Sequence, residues 1–324
     1  MADEIARWAA SRAPELIKRA EAEAVAVLRD ALLEAAGRHP RTATGESAAG
    51  DAPVATTAPE GELIWAYCCM RARDRTPAQL AGVTGRPVER VEAGDLAVLV
   101  SRVPAAQFAE APLRDNLNDL TWLEGVARAH EAVLDEAFMT TTIVPLRLCT
   151  LYATDKSLRA MLVREHQGIE AALARLAGRQ EWGVKVLIDP ERLVSAARDA
   201  SPELYVHERD LGMRSEGGAY LERRRLERTV RDRADALATD IAQQVHARLQ
   251  DWTIEAATHP PQNRELSGHE GEMVLNAAYL VDAERAEGLR QLALELEEHH
   301  RAVGARIELT GPWPPFNFVY APGA

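Results

Sequence analysis

Cysteine is scarce in this sequence of 324 residues, which holds only Cys68, Cys69 and Cys149. Three thiols cannot close a disulfide set, and adjacent cysteines rarely bridge each other. A disulfide-stapled fold is excluded, and three half-buried thiols in a reducing cytoplasm are expected. Aromatic residues make up only 5% of the chain, so the core must be mainly Leu, Val, Ile and Ala. Positive charge is in deficit: 38 Lys and Arg face 50 Asp and Glu, a net charge of −12. Such a surface repels phosphate backbones and anionic lipid heads, so neither nucleic acid nor membrane is expected as a partner. Nowhere do the roughly 18 apolar residues of a membrane span occur. The opening MADEIARW has mixed charge and no signal-peptide pattern. A soluble, cytoplasmic protein is the expectation.

Catalytic signatures are missing too. There is no G-x-S-x-G elbow, no G-x-x-x-x-G-K-[ST] phosphate loop and no G-x-G-x-x-G fingerprint. Three His–Glu pairs occur, His130–Glu131, His207–Glu208 and His269–Glu270. A zinc helix needs a second His four residues after the first, and those positions are Leu134, Leu211 and Met273. His299 and His300 are helix neighbours about 100° apart, poorly placed for joint ligation. No enzyme, metal or cofactor is expected. His130, beside Glu131 and near Arg128, reads either as a helix-surface histidine with a local hydrogen bond or as a polar contact at an interface. The basic run ERRRLERTVRDR (222–233) is interleaved with Glu222, Glu227 and Asp232, which predicts a solvated helix laced with ion pairs.

What is present is a globular composition, 47% apolar and 27% charged, long enough for two domains. Residues 1–37 read as an amphipathic helix, with Ile5, Trp8, Leu16, Ile17, Val25, Leu28, Leu32 and Leu33 near helical spacing. Its apolar stripe would bury on the body of the chain, a second copy or a partner. Residues 38–60 have almost no large apolar side chain and read as a flexible tether. A mixed α+β domain is expected over 61–178. It would hold a strand at 62–70, two strands around a Gly94–Asp95 turn, a long helix over 113–138, a strand over 141–148 and a helix over 155–177. Pro145 has no N–H and should sit at an edge or bulge.

Over 179–310 the strands 182–189, 251–258, 272–282 and 305–310 alternate with helices at 217–250 and 283–302. The order β-α-β-β-α-β is that of a ferredoxin-like fold. The fold class is therefore α+β, in two domains behind a helical extension. The ending 311–324 is rich in aromatics and proline. Trp313, Phe316 and Phe318 are expected to close a hydrophobic seam, in which case Trp313→Ala would cost roughly 3–5 kcal/mol.

Several segments together resemble the gas vesicle protein F/L family: LRDNLNDLTWLEGVARAHEAVL (113–134), VPLR (144–147), EWGVKV (181–186), LNAAYLVD (275–282) and LTGPWPPFNFV (309–319). Two departures keep apolar bulk: Leu148–Cys149 where the family usually has Phe-Gly, and Phe316–Asn317–Phe318 where it usually has Tyr-Ser-Phe. Residues 1–60 lie outside the resemblance. It implies a gas vesicle accessory or minor structural protein, with an N-terminal α+β and a C-terminal ferredoxin-like domain. The implied partners are the apolar major shell protein and other accessory proteins, and the implied place is the gas vesicle. Under that reading the 113–138 helix and 141–148 strand form the main shell-protein contact. Arg114, Asp119, His130 and Arg147 would be its polar groups, Trp122 its apolar anchor, and Pro145 the mark of its edge strand. Two other readings stay open: a ferredoxin-like regulatory protein binding a small ligand, and an enzyme with a scattered site.

Overall fold

The computed structural model describes residues 61–201, 216–261 and 271–319. The expected helix 1–37, the tether 38–60 and Tyr320 lie outside the described residues. The chain divides into two compact units that part between Arg175 and Leu176. Each is a mixed α+β unit around one antiparallel sheet.

In the first unit, β1 (Glu62–Arg71) is the spine, and Ile64 to Met70 are all buried. A strand covered on both faces reads as a continuous apolar run instead of an alternation. β2 (Glu89–Ala93) and β3 (Leu96–Pro104) form the expected hairpin, and β3 pairs with β1. The other edge of β1 meets β4 (Val144–Pro145) and β5 (Leu151–Tyr152). The strand expected over 141–148 thus shrinks to two residues. Pro145 removes one ladder donor, and the Arg147 carbonyl accepts from the Thr150 N–H and hydroxyl in a turn.

After α1 (Ala105–Phe108), the helix expected over 113–138 is split between two helices, α2 (Glu110–Asn116) and α3 (Leu120–Thr140). The break has a local cause. Asn118 donates its amide to the Arg114 carbonyl and closes α2, while Asp119 accepts the N–H of Thr121 and Trp122 and opens α3. The helix expected over 155–177 is likewise α4 (Asp155–Arg164), with a Thr154–Ser157 capping box, and α5 (His166–Leu176).

The second unit runs β6 (Arg179–Ile188), α6 (Pro190–Asp199), α7 (Glu216–Trp252), β7 (Glu255–His259), β8 (Glu272–Asp282), α8 (Ala286–His299) and β9 (Ala305–Trp313). Its strand order is β7-β8-β6-β9, and every neighbouring pair is antiparallel. The core is aliphatic as expected. Leu226, Val230, Ala234, Ala238, Ile241, Val245 and Leu249 recur every three or four residues down the inner stripe of α7. β9 continues past residue 310 to Trp313, which pairs with Glu181, so residues 311–313 belong to the sheet and not to a tail.

Candidate partner-contact site

His130 is the centre of a buried network in the first unit. Trp65 Nε1 donates to His130 Nδ1 at 3.0 Å, and His130 Nε2 lies 3.2 Å from the Leu146 carbonyl. An accepting Nδ1 leaves the proton on Nε2, so the imidazole is neutral and donates to Leu146. Burial drives its pKa down to about 4. The ring stacks on Tyr67 with centroids 5.2 Å apart. The Tyr67 hydroxyl accepts the Val83 N–H and shares a 2.7 Å hydrogen bond with buried Ser101. A Cβ at Gly82 would sit 2.5 Å from both the Tyr67 and Ser101 oxygens, so only glycine fits there. The expectation of His130 at a helix surface or interface is corrected. At 2% exposure it ties α3 to β1 and to the 144–148 segment.

The other residues expected at a contact divide in two. Arg114 is exposed on α2 and pairs with Glu110 at 3.2 Å. Arg147 is exposed in the turn after β4. Asp119 is the cap of α3. Trp122 is half-buried against Phe108, centroids 5.4 Å apart. Pro145 is buried, on a strand at the sheet edge opposite Cys68. Exposed apolar side chains missed by the sequence reading, Leu120 and Met139, lie near the two ends of α3.

The C-terminal aromatics also divide. Phe318 is buried at 2% exposure, but Trp313 and Phe316 are 45% and 41% exposed. The expected three-residue seam is corrected: one aromatic anchors and two project. The anchor is polar as well. In the short turn Phe316–Phe318, Asn317 donates its backbone N–H and its amide to Glu181 at 2.9 and 2.6 Å. Glu181 is buried, and burial pushes its pKa up to about 7 against the lowering effect of those two bonds. Gly311 has φ +130°, and a Cβ there would meet the Glu181 carbonyl at 2.9 Å. Glu181 was missed because it falls just before the strand expected over 182–189, beside Arg179 and Gln180, where an acid reads as polar flank.

Among the described residues, no group of three His, Cys, Asp or Glu could hold a metal ion. His207 and His269 lie outside them. Cys68 and Cys69 are buried and Cys149 is half-buried. Burial raises all three thiols, Cys69 and Cys149 to about 12. No helix among the described residues is long and apolar enough to cross a membrane. A cleft of about 480 Å³ opens between α7 and α8, lined by Arg248, Leu292, Glu295, His299 and His300 among others.

These features define a class: a two-unit α+β protein with two antiparallel sheets, whose outward-facing aromatics are fixed from within. A sequence model of the family described as gas vesicle synthesis protein GvpL/GvpF matches residues 63–320. The chain belongs to that family. It is 40% identical to gas vesicle protein L of Streptomyces sp. (strain CB03234), over 79% of this chain and 92% of that one. It is 28% identical to gas vesicle protein L1 of Halobacterium salinarum, over 82% and 94% of the two chains. The fold is similar to crystal structures of GvpF. That from Microcystis aeruginosa matches with a TM-score of 0.57 at 20% identity, covering 80% of this chain and 99% of that chain. That from Anabaena sp. PCC7120 matches with a TM-score of 0.59 at 18% identity, covering 81% and 97%.

Proposed function

We propose that the chain is an accessory or minor structural protein of the gas vesicle. It binds the apolar major shell protein and supports nucleation or assembly of the shell together with other accessory proteins. A shell subunit with one face turned to gas is an aggregation hazard until it is placed, and a partner must cover that face. The observation that carries the reading is the projecting pair Trp313 and Phe316, held by a buried clamp inside residues that match the family. Aromatic side chains on a rigid support are the usual anchors of protein interfaces. In the first unit the contact would run over Leu120, Trp122, Arg114 and Arg147, with Asp119, His130 and Pro145 supporting it from behind. The acidic surface keeps the complex soluble in the cytoplasm and at the growing vesicle.

The second unit is read as ferredoxin-like, supported by its strand order β7-β8-β6-β9 and antiparallel pairing. The domains are proposed as 61–178 and 179–310, the second extended by β9 to Trp313, and the parting of the two units at Arg175 and Leu176 supports the division.

Deleting the gene should abolish or sharply reduce cell flotation, and the full-length chain should co-purify with the shell protein. Trp313→Ala/Phe316→Ala should weaken that co-purification. Normal vesicles in the deletion strain together with no co-purification would overturn the reading. The cleft between α7 and α8 favours a second reading, a small-ligand regulatory module. It predicts a thermal shift with a metabolite, removed by Arg248→Ala.

A further inference from the structure

Residues 223–233 hold six arginines against Glu227 and Asp232, in a chain of net charge −12. They lie in the first half of α7, whose inner stripe there is Leu226 and Val230, packed with Val194 of α6. Arg223, Arg224, Arg225, Arg228 and Arg231 are all exposed. Of the acids expected to pair along this run, Glu227 and Asp232 are among the described side chains, and neither bonds to any of these five arginines. Arg224 lies instead over the ring of Tyr220, 5.6 Å from its centroid, and that ring is itself more than half exposed. Tyr220, Arg224, Arg228 and Arg231 follow one another at i, i+4, i+8 and i+11, which is one stripe along the helix. Like charges a turn apart repel, and among the described side chains the Tyr220 ring is the one partner of these arginines.

We propose that this stripe is a docking surface for an acidic helix of a protein partner, one carrying carboxylates a turn apart. The guanidinium forks of Arg224, Arg228 and Arg231 repeat at about 6 and about 10 Å along the axis. Glutamates at i, i+4 and i+7 of a second helix repeat at the same spacing, and each can take a bidentate pair. Net charge decides against a polyphosphate. Nucleic acid gains affinity by engaging many phosphates over a long track, and the acidic remainder of this chain repels such a track. A short acidic helix needs only the local match. The surface is separate from the aromatics of the proposed shell contact, so a chain that failed to bind shell protein would leave this inference untouched.

The test uses the full-length chain and a fluorescently labelled helical peptide bearing Glu at i, i+4 and i+7, read by anisotropy. The peptide should bind, and binding should weaken with added salt. A peptide of the same composition with its glutamates out of register should bind more weakly. Arg224→Gln/Arg228→Gln/Arg231→Gln should lower affinity at least about tenfold, with circular dichroism and melting unchanged because the three side chains are exposed. Equal affinity in the triple variant would overturn the proposal. So would tighter binding of a DNA duplex, or of phosphatidylserine vesicles, than of the in-register peptide.

Discussion

Burial acts on the two titratable side chains His130 and Glu181 in opposite senses. His130 is held near 4 in the fold against an ordinary value of 6.5. Above pH 6.5 it is neutral folded or unfolded, and its burial carries no protonation penalty. As pH falls from 6.5 to 4 the unfolded chain takes up the proton, and on the order of 3 kcal/mol of stability is lost. His130→Phe leaves the Trp65 N–H and the Leu146 carbonyl unpaired, at about 2–4 kcal/mol at pH 7. The gap between wild type and variant in urea unfolding should narrow towards pH 4.5. Glu181 runs the other way. Its folded pKa of about 7 exceeds the ordinary 4.5, so its contribution is whole below 4.5 and lost as pH rises through 7. Glu181→Gln should flatten that slope and be at least as stable as wild type at pH 8, measured the same way.

Helix α3 depends on Asp119 for its first turn, since α2 closes on Asn118 and cannot pass its hydrogen bonds forward. Asp119→Ala should cost about 1 kcal/mol, seen as a lower urea midpoint. β9 and the turn after it reverse the expectation drawn from the sequence. Phe318→Ala should cost about 3–5 kcal/mol, whereas Trp313→Ala/Phe316→Ala should leave the melting temperature within a few degrees. What could be read from sequence follows from range. β1 and the β2–β3 hairpin were legible because an apolar run and a Gly-Asp turn are local signals. The break at Asp119 was not, because the apolar spacing runs through it and only the side-chain hydrogen bonds of Asn118 and Asp119 end one helix and open the next. His130 could have been read as buried. It falls on the stripe Leu123, Val126, Ala127, His130, Val133, Leu134 and Ala137, all of it inside. The division of three aromatics into one anchor and two projections depends on the register with Glu181, which no local pattern carries.

At the scale of the whole chain, charge and apolar surface are unevenly distributed. An overall acidic protein exposes one arginine stripe, and an overall aliphatic one exposes Trp313 and Phe316. Family membership was legible from five segments spread over both units, whereas the contact residues were not. Two of the six chosen from motif density, His130 and Pro145, are buried, because a motif marks what a family keeps without saying which way it faces. The cysteines have a practical bearing. Cys68 and Cys69 sit inside β1, and all three thiols are held in their protonated form. A maleimide dye added to the native protein should therefore label almost nothing, while one cysteine introduced beside Arg228 should take up the dye fully. The wild-type background can then carry a single reporter at the arginine stripe, and proximity measurements can begin without rebuilding the core.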